Sequence, residues 1–107
     1  MDEKFLYGIG SGWIPLVEEV AEKVAEWNKE HENNPILFID VKEKFGLLNI
    51  YLSNYTEELR NKISEVMERS ATICEKCGST NNVKRKEDHG WITTLCDKCR
   101  QEKMATM

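Results

Sequence analysis

Between Trp13 and Trp27 the apolar residues Trp13, Val17, Val20, Val24 and Trp27 recur at alternating intervals of four and three. Glu18, Glu19, Glu22, Lys23 and Glu26 fall on the intervening positions. This is the period of a helix with one buried face, and it predicts a helix from about Pro15 to Asn28. Pro15 suits the first turn, where its missing N–H costs nothing. "NKEHENNP" then reads as a polar loop. The period changes to that of strands in "ILFIDV" and "LLNIYL", joined by "KEKFG", which predicts a β-hairpin. One face would carry Leu37, Ile39 and Val41 opposite Leu48, Ile50 and Leu52; the other, with Phe38, Asp40, Asn49 and Tyr51, is mixed. Two strands do not hold alone, so helices must cover the apolar face. Asn54, with Glu57 three residues on, offers a capping box. A second helix to about Thr72 would bury Leu59, Ile63, Val66, Met67 and Ser70.

That helix leads directly into Cys74, where the pattern becomes one of ligands. "CEKCG" and "CDKC" place Cys74, Cys77, Cys96 and Cys99 as two C-x2-C turns separated by eighteen residues. Each turn presents two thiolates to one ion, and two turns complete the tetrahedron that zinc prefers. "VKRK" and "WITTL" read as a small hairpin with "EDHG" at its tip, and "DKCRQEK" as a last helix. Knuckle, hairpin and helix are the order of a treble clef; a zinc ribbon is the near alternative, and the last helix decides between them. Two disulfides or a redox C-x2-C pair are the competing readings, and an iron–sulfur cluster lacks its usual spacing. Four protein ligands leave no open coordination position, so the expected single zinc ion is structural. His89, a spare ligand, is assigned to the hairpin tip. The expected fold is α+β: helix, β-hairpin, helix, then a C-terminal four-cysteine zinc module. Residues 1–73 form the α-β-β-α domain and 74–107 the module packed rigidly against it.

Composition narrows the partners. The 107 residues are 40% hydrophobic and 32% charged, with a net charge of -4, which is a foldable and soluble balance. The longest apolar run, "PILFIDV", is too short to span a bilayer. The acidic start "MDEKFLYGIG" lacks a signal-peptide core. A cytoplasmic location is therefore expected, and with it reduced thiols, which favour metal over disulfides. Residues 1–73 hold 8 basic and 14 acidic side chains, and residues 74–107 hold 7 and 5. Duplex binding rests on phosphate neutralisation, so so acidic a chain is a poor general DNA binder. It is better matched to a basic protein surface.

Several groups are candidates for chemistry. Lys76 and Lys98 sit inside the knuckles, where they offset the negative metal centre. Lys84, Arg85 and Lys86, with Arg100 and Lys103, would form a basic patch able to bind nucleic acid, and Trp91 at the tip could stack on a base. Glu87, Asp88 and Asp97 interrupt that patch, and such a tryptophan more often packs the module on its neighbour. "GIGSG" resembles a phosphate loop only weakly, since no Gly-Lys-Ser/Thr follows; a glycine-rich turn before a helix can still hold an anion. Asp40, Glu43, His31 and His89 are the acid–base groups, on separate elements and with no nucleophile motif, so the chain is not expected to be an enzyme. A protein-contact surface is expected at Lys42, Lys44 and Phe45 and at Trp13 near the glycine-rich N-terminus.

Four stretches, "GSGW", "VKEKFGLLNIY", "SATICEKCG" and "GWITTLCDKC", resemble a widespread set of small, largely uncharacterised bacterial and phage proteins. Their pattern is G-x-G-W, V-K-E-K-F-G-x-L-R-x-Y, S-x-x-x-C-E-x-C-G and G-W-x-x-T-L-C-D-x-C, and the resemblance covers nearly the whole chain. Asn49 stands where the pattern has arginine, so no role of that arginine carries over. The resemblance implies an accessory protein of phage or mobile-element context and supplies no biochemical activity. Joined to the acidic charge, it leads to an expected function of non-catalytic binding to a host protein, in its most concrete form as an inhibitor of a bacterial defence system. The alternatives are nucleic-acid binding through the zinc module, and capture of a small anionic nucleotide near "GIGSG" and the first hairpin.

Overall fold

The computed structural model describes residues 9–88 and 90–105. After a 3-10 turn over Ser11–Trp13 come α1 (Ile14–Glu30), β1 (Phe38–Lys44), β2 (Leu47–Leu52), α2 (Glu57–Ser70), β3 (Val83–Asp88), β4 (Trp91–Cys96) and α3 (Asp97–Ala105). The fold is thus the expected α+β, with two separate antiparallel hairpins, β1–β2 and β3–β4. The molecule is elongated, 51 × 23 × 20 Å. No helix among the described residues is long and apolar enough to cross a membrane.

The main core lies where α1 and α2 cover one face of the first hairpin. Leu16, Val17, Val20 and Val24 of α1, Val41, Leu48, Ile50 and Leu52 of the strands, and Leu59 and Val66 of α2 are buried together. Above that core the two helices are tied by charge. Glu19 accepts from Lys62 at 2.7 Å and from both Arg69 terminal nitrogens at 2.8 and 2.9 Å. Asn28 holds the α1–β1 loop: its amide oxygen accepts from the Ile36 N–H at 2.8 Å and its NH2 donates to the Ile36 carbonyl at 3.0 Å. Buried Ser70 accepts from the Leu48 N–H at 3.0 Å, which joins the end of α2 to β2.

Three local expectations are corrected. Phe38 pairs with Leu52 but Asp40 pairs with Tyr51, so β1 contains a bulge between them. A bulge adds one residue to one strand and inverts which side chains face inward. Ile36 and Phe38 therefore join the core, and Leu37 and Ile39 are exposed. The cap of α2 is Thr56, not Asn54: its hydroxyl accepts from the Leu59 N–H at 3.0 Å, and Asn54 instead accepts from the Tyr55 N–H. The "KEKFG" connector shrinks to the two residues Phe45 and Gly46, since Lys44 pairs with Leu47.

Candidate metal centre and the surface it supports

Cys74 and Cys77 come from the turn after α2, Cys96 ends β4, and Cys99 lies in α3. The Gly78 N–H closes the first turn on the Cys74 carbonyl at 2.9 Å. Hairpin followed by a ligand-bearing helix is the order of a treble clef. All four sulfurs lie within 4.8 Å of one another, with Cys77 and Cys96 3.7 Å apart. A tetrahedron with metal–sulfur arms of about 2.3 Å has edges of about 3.8 Å, so this cluster can hold a metal ion. Cys74, Cys96 and Cys99 are buried and Cys77 is exposed. Burial raises the Cys74 thiol, but the N–H groups of Cys77, Cys96 and Lys76 outweigh it and hold it at about 6. Burial, then proximity to the other cysteines, pushes Cys99 up. Four thiolates cannot ionise together so close without a cation, and a divalent ion removes that conflict. The apolar core here is small: Cys74, Leu95, Cys96 and Cys99, with Val83 against them. Three of its four buried members are metal-ligand candidates, so its cohesion depends on what they bind.

Among the described residues, the rest of the chain is hydrogen-bonded to the four-cysteine part at the glycine-rich turn and at the β1–β2 tip. The Gly12 N–H donates to the Glu75 carbonyl at 2.9 Å, and the Ser11 hydroxyl to the Lys76 carbonyl at 2.9 Å. A Cβ on Gly12 would collide with the Cys74 carbonyl oxygen and the Gly78 nitrogen. The described glycines of "GIGSG" thus serve close backbone approach, and the Gly12 N–H that an anion would need is already donated. Gly8 and His89 lie outside the described residues. Trp13 is corrected as a contact residue: it is 0% exposed, and its indole N–H donates to the Ile73 carbonyl at 2.8 Å.

The second fastening is at the tip of β1–β2. Arg85 Nε donates to the Phe45 carbonyl at 2.7 Å, and the buried Thr94 hydroxyl donates to the Gly46 carbonyl. Beside this joint the two expected aromatics converge. Phe45 is 62% exposed and Trp91 64% exposed, and both line one cleft of about 390 Å³ with Glu43, Lys44, Glu87, Gly90 and Ile92. Phe45 has φ 55° and Gly46 φ 77°. A two-residue turn that matches strand twist needs both angles positive, which normally selects Asn-Gly. A phenylalanine there is strained, and sequence rules that score side-chain type miss it.

The basic patch is split. Lys84 pairs with Leu95, Arg85 with Thr94 and Lys86 with Thr93, so strand alternation sends Arg85 to the face opposite Lys84 and Lys86. Arg100 is buried and donates to the Lys84 carbonyl at 2.6 Å, and Lys76 meets Glu102 at 3.7 Å. Lys42 lies back from the tip, 3.6 Å from Asp40 and 5.4 Å from the Tyr51 ring centroid. Among the acid–base candidates, His31 stacks on Trp27, Asp40 accepts from the Val41 N–H, and Glu43 accepts from the Gly46 N–H.

A larger cleft of about 600 Å³ lies against the knuckle, lined by Gly10, Ser11, Glu75, Lys76, Glu102 and Lys103 among others. Burial, then repulsion by Glu43, raises the Glu75 carboxyl to about 7 against the pull of Lys103. Its two carboxyls are matched by the Lys76 and Lys103 ammonium groups in the same wall, so the cleft presents no net charge that selects an anionic ligand.

No protein-family profile, curated protein or solved structure matches the chain.

Proposed function

We infer that the chain is a zinc-stabilised, non-catalytic protein-binding module whose contact surface is the pair of hairpin tips at Phe45 and Trp91. Soft thiolate ligands in a tetrahedral set select zinc among common divalent ions, and a closed shell assigns the ion to folding. The observation that carries the binding assignment is Phe45, an exposed ring held on a strained backbone by bonds from the metal-centred part. Strain of this kind is retained where the surroundings enforce it and concentrates at functional sites. Large exposed aromatics in a shared cleft are the usual anchors of a protein interface. The resemblance to small bacterial and phage proteins gives this module its context: a phage or mobile-element accessory protein acting in the cytoplasm on a host protein, in its most concrete form an inhibitor of a defence system.

Native mass spectrometry of the tagged chain from host cells tests this reading. The expected species carries one zinc and a stoichiometric protein partner, and the partner is lost in the Phe45→Ala/Trp91→Ala double variant while the zinc stays. Retained nucleic acid or nucleotide in place of a partner, or a partner indifferent to both aromatics, would sink it.

A further inference from the structure

The Phe45–Trp91 cleft has a charge pattern that selects its occupant. Its rings are uncovered, and aromatic faces attract cations. Glu87 stands on its wall and makes no ion pair among the described residues. Glu43 lines the same space, with one carboxylate oxygen bound to the Gly46 N–H. Among the described residues, the cation in the lining is Lys44, with its ammonium 5.9 Å from the Phe45 ring centroid. The ring therefore already draws a positive charge, supplied by the chain itself. The chain is acidic as a whole, at -4, which favours encounter with a basic surface.

Resting on the protein-binding reading above, we propose that the cleft takes an arginine or lysine side chain from a basic segment of the partner. Its apolar stem lies against Phe45 and Trp91, and its charge is set against Glu87 and Glu43. The incoming cation displaces Lys44 from the Phe45 face. Arginine is favoured over lysine, because its flat guanidinium both stacks on rings and bonds a carboxylate in fork geometry.

The test uses the full chain as purified and three unstructured peptides of equal length: arginine-rich, glutamate-rich and neutral. The readout is the Trp91 indole N–H signal by NMR, with tetramethylammonium as a free-cation control. The arginine peptide should shift that signal saturably, and raised salt should weaken it. Phe45→Ala should weaken binding roughly five- to thirtyfold by this signal, and Trp91→Ala should do the same when the peptide is titrated by calorimetry, with zinc content and circular dichroism unchanged as the check on folding. Glu87→Gln should weaken it about threefold. Lys44→Ala should tighten it, because a competing cation is removed. Glutamate-rich or neutral peptide binding as well at Trp91 overturns the cation assignment and leaves the contact surface standing. Tetramethylammonium binding as tightly as the arginine peptide overturns the partner-segment assignment. No peptide moving the Trp91 signal overturns both the occupant and the surface.

Discussion

A phenylalanine at φ 55° carries a backbone cost, on the order of 1–3 kcal/mol, that its own ring cannot repay, because the ring is exposed. Asparagine tolerates this conformation and is the ordinary choice before the glycine of such a turn. Phe45→Asn should therefore stabilise the protein by about 0.5–1 kcal/mol while weakening partner binding. Thermal melting and a binding assay on the same variant check this; a fall in melting temperature would show that the ring contributes to the fold instead. At this scale the clustering of the four cysteines was legible from their spacing, and Phe45 stood out as an aromatic in a charged turn, which the structure leaves exposed. Trp13 fell on the apolar face by its helical period and was also expected on the contact surface, and its complete burial overturns the second expectation. Its burial against Ile73 joins residues sixty positions apart, which periodicity does not register.

Among the elements, α1 and α2 owe their mutual placement to the apolar stripe beneath and to Glu19 above, gripped by Lys62 and Arg69. Hydrogen bonds from Arg69, then Lys62, lower the Glu19 carboxyl from 4.5 to about 2. A carboxyl depressed on folding stabilises the folded state in full above its unfolded value. That contribution is lost as pH falls from about 4.5 toward 2. With about a third of the side chain in solvent, the gain is about 1 kcal/mol at most. Glu19→Gln should lower stability by that amount at neutral pH and flatten the stability–pH curve below about 4.5, as urea titrations across that range can measure. An unchanged acid limb in the variant would contradict this assignment. The helices themselves were legible to within about two residues because their stripes are regular. The phase of β1 was not. "ILFID" alternates acceptably in either register, and the bulge that chooses Ile36 and Phe38 over Leu37 and Ile39 is set by pairing with β2 and by the Ser53 hydroxyl, which accepts from the Leu37 N–H.

For the whole molecule, the informative feature is that the four-cysteine part and the first hairpin meet at the candidate contact surface. Neither half's sequence carries this, since a bond from Arg85 to Phe45 spans forty positions. The consequence is thermodynamic coupling: the β3–β4 hairpin that holds the Phe45 and Gly46 carbonyls has a core made largely of metal-ligand candidates. Removing the ion should loosen that hairpin and, through it, the β1–β2 tip some distance from the metal. The α1–α2 layer, with its own apolar core, should stay folded. Hydrogen exchange before and after stripping with a strong chelator reads this directly. Protection should collapse across β3–β4 and fall at Gly46 and Leu47, while amides in the middle of α1 and α2 keep theirs, and added zinc should restore the pattern. Tip amides that keep full protection in the metal-free chain would mean that the contact surface stands independently of the cysteine centre.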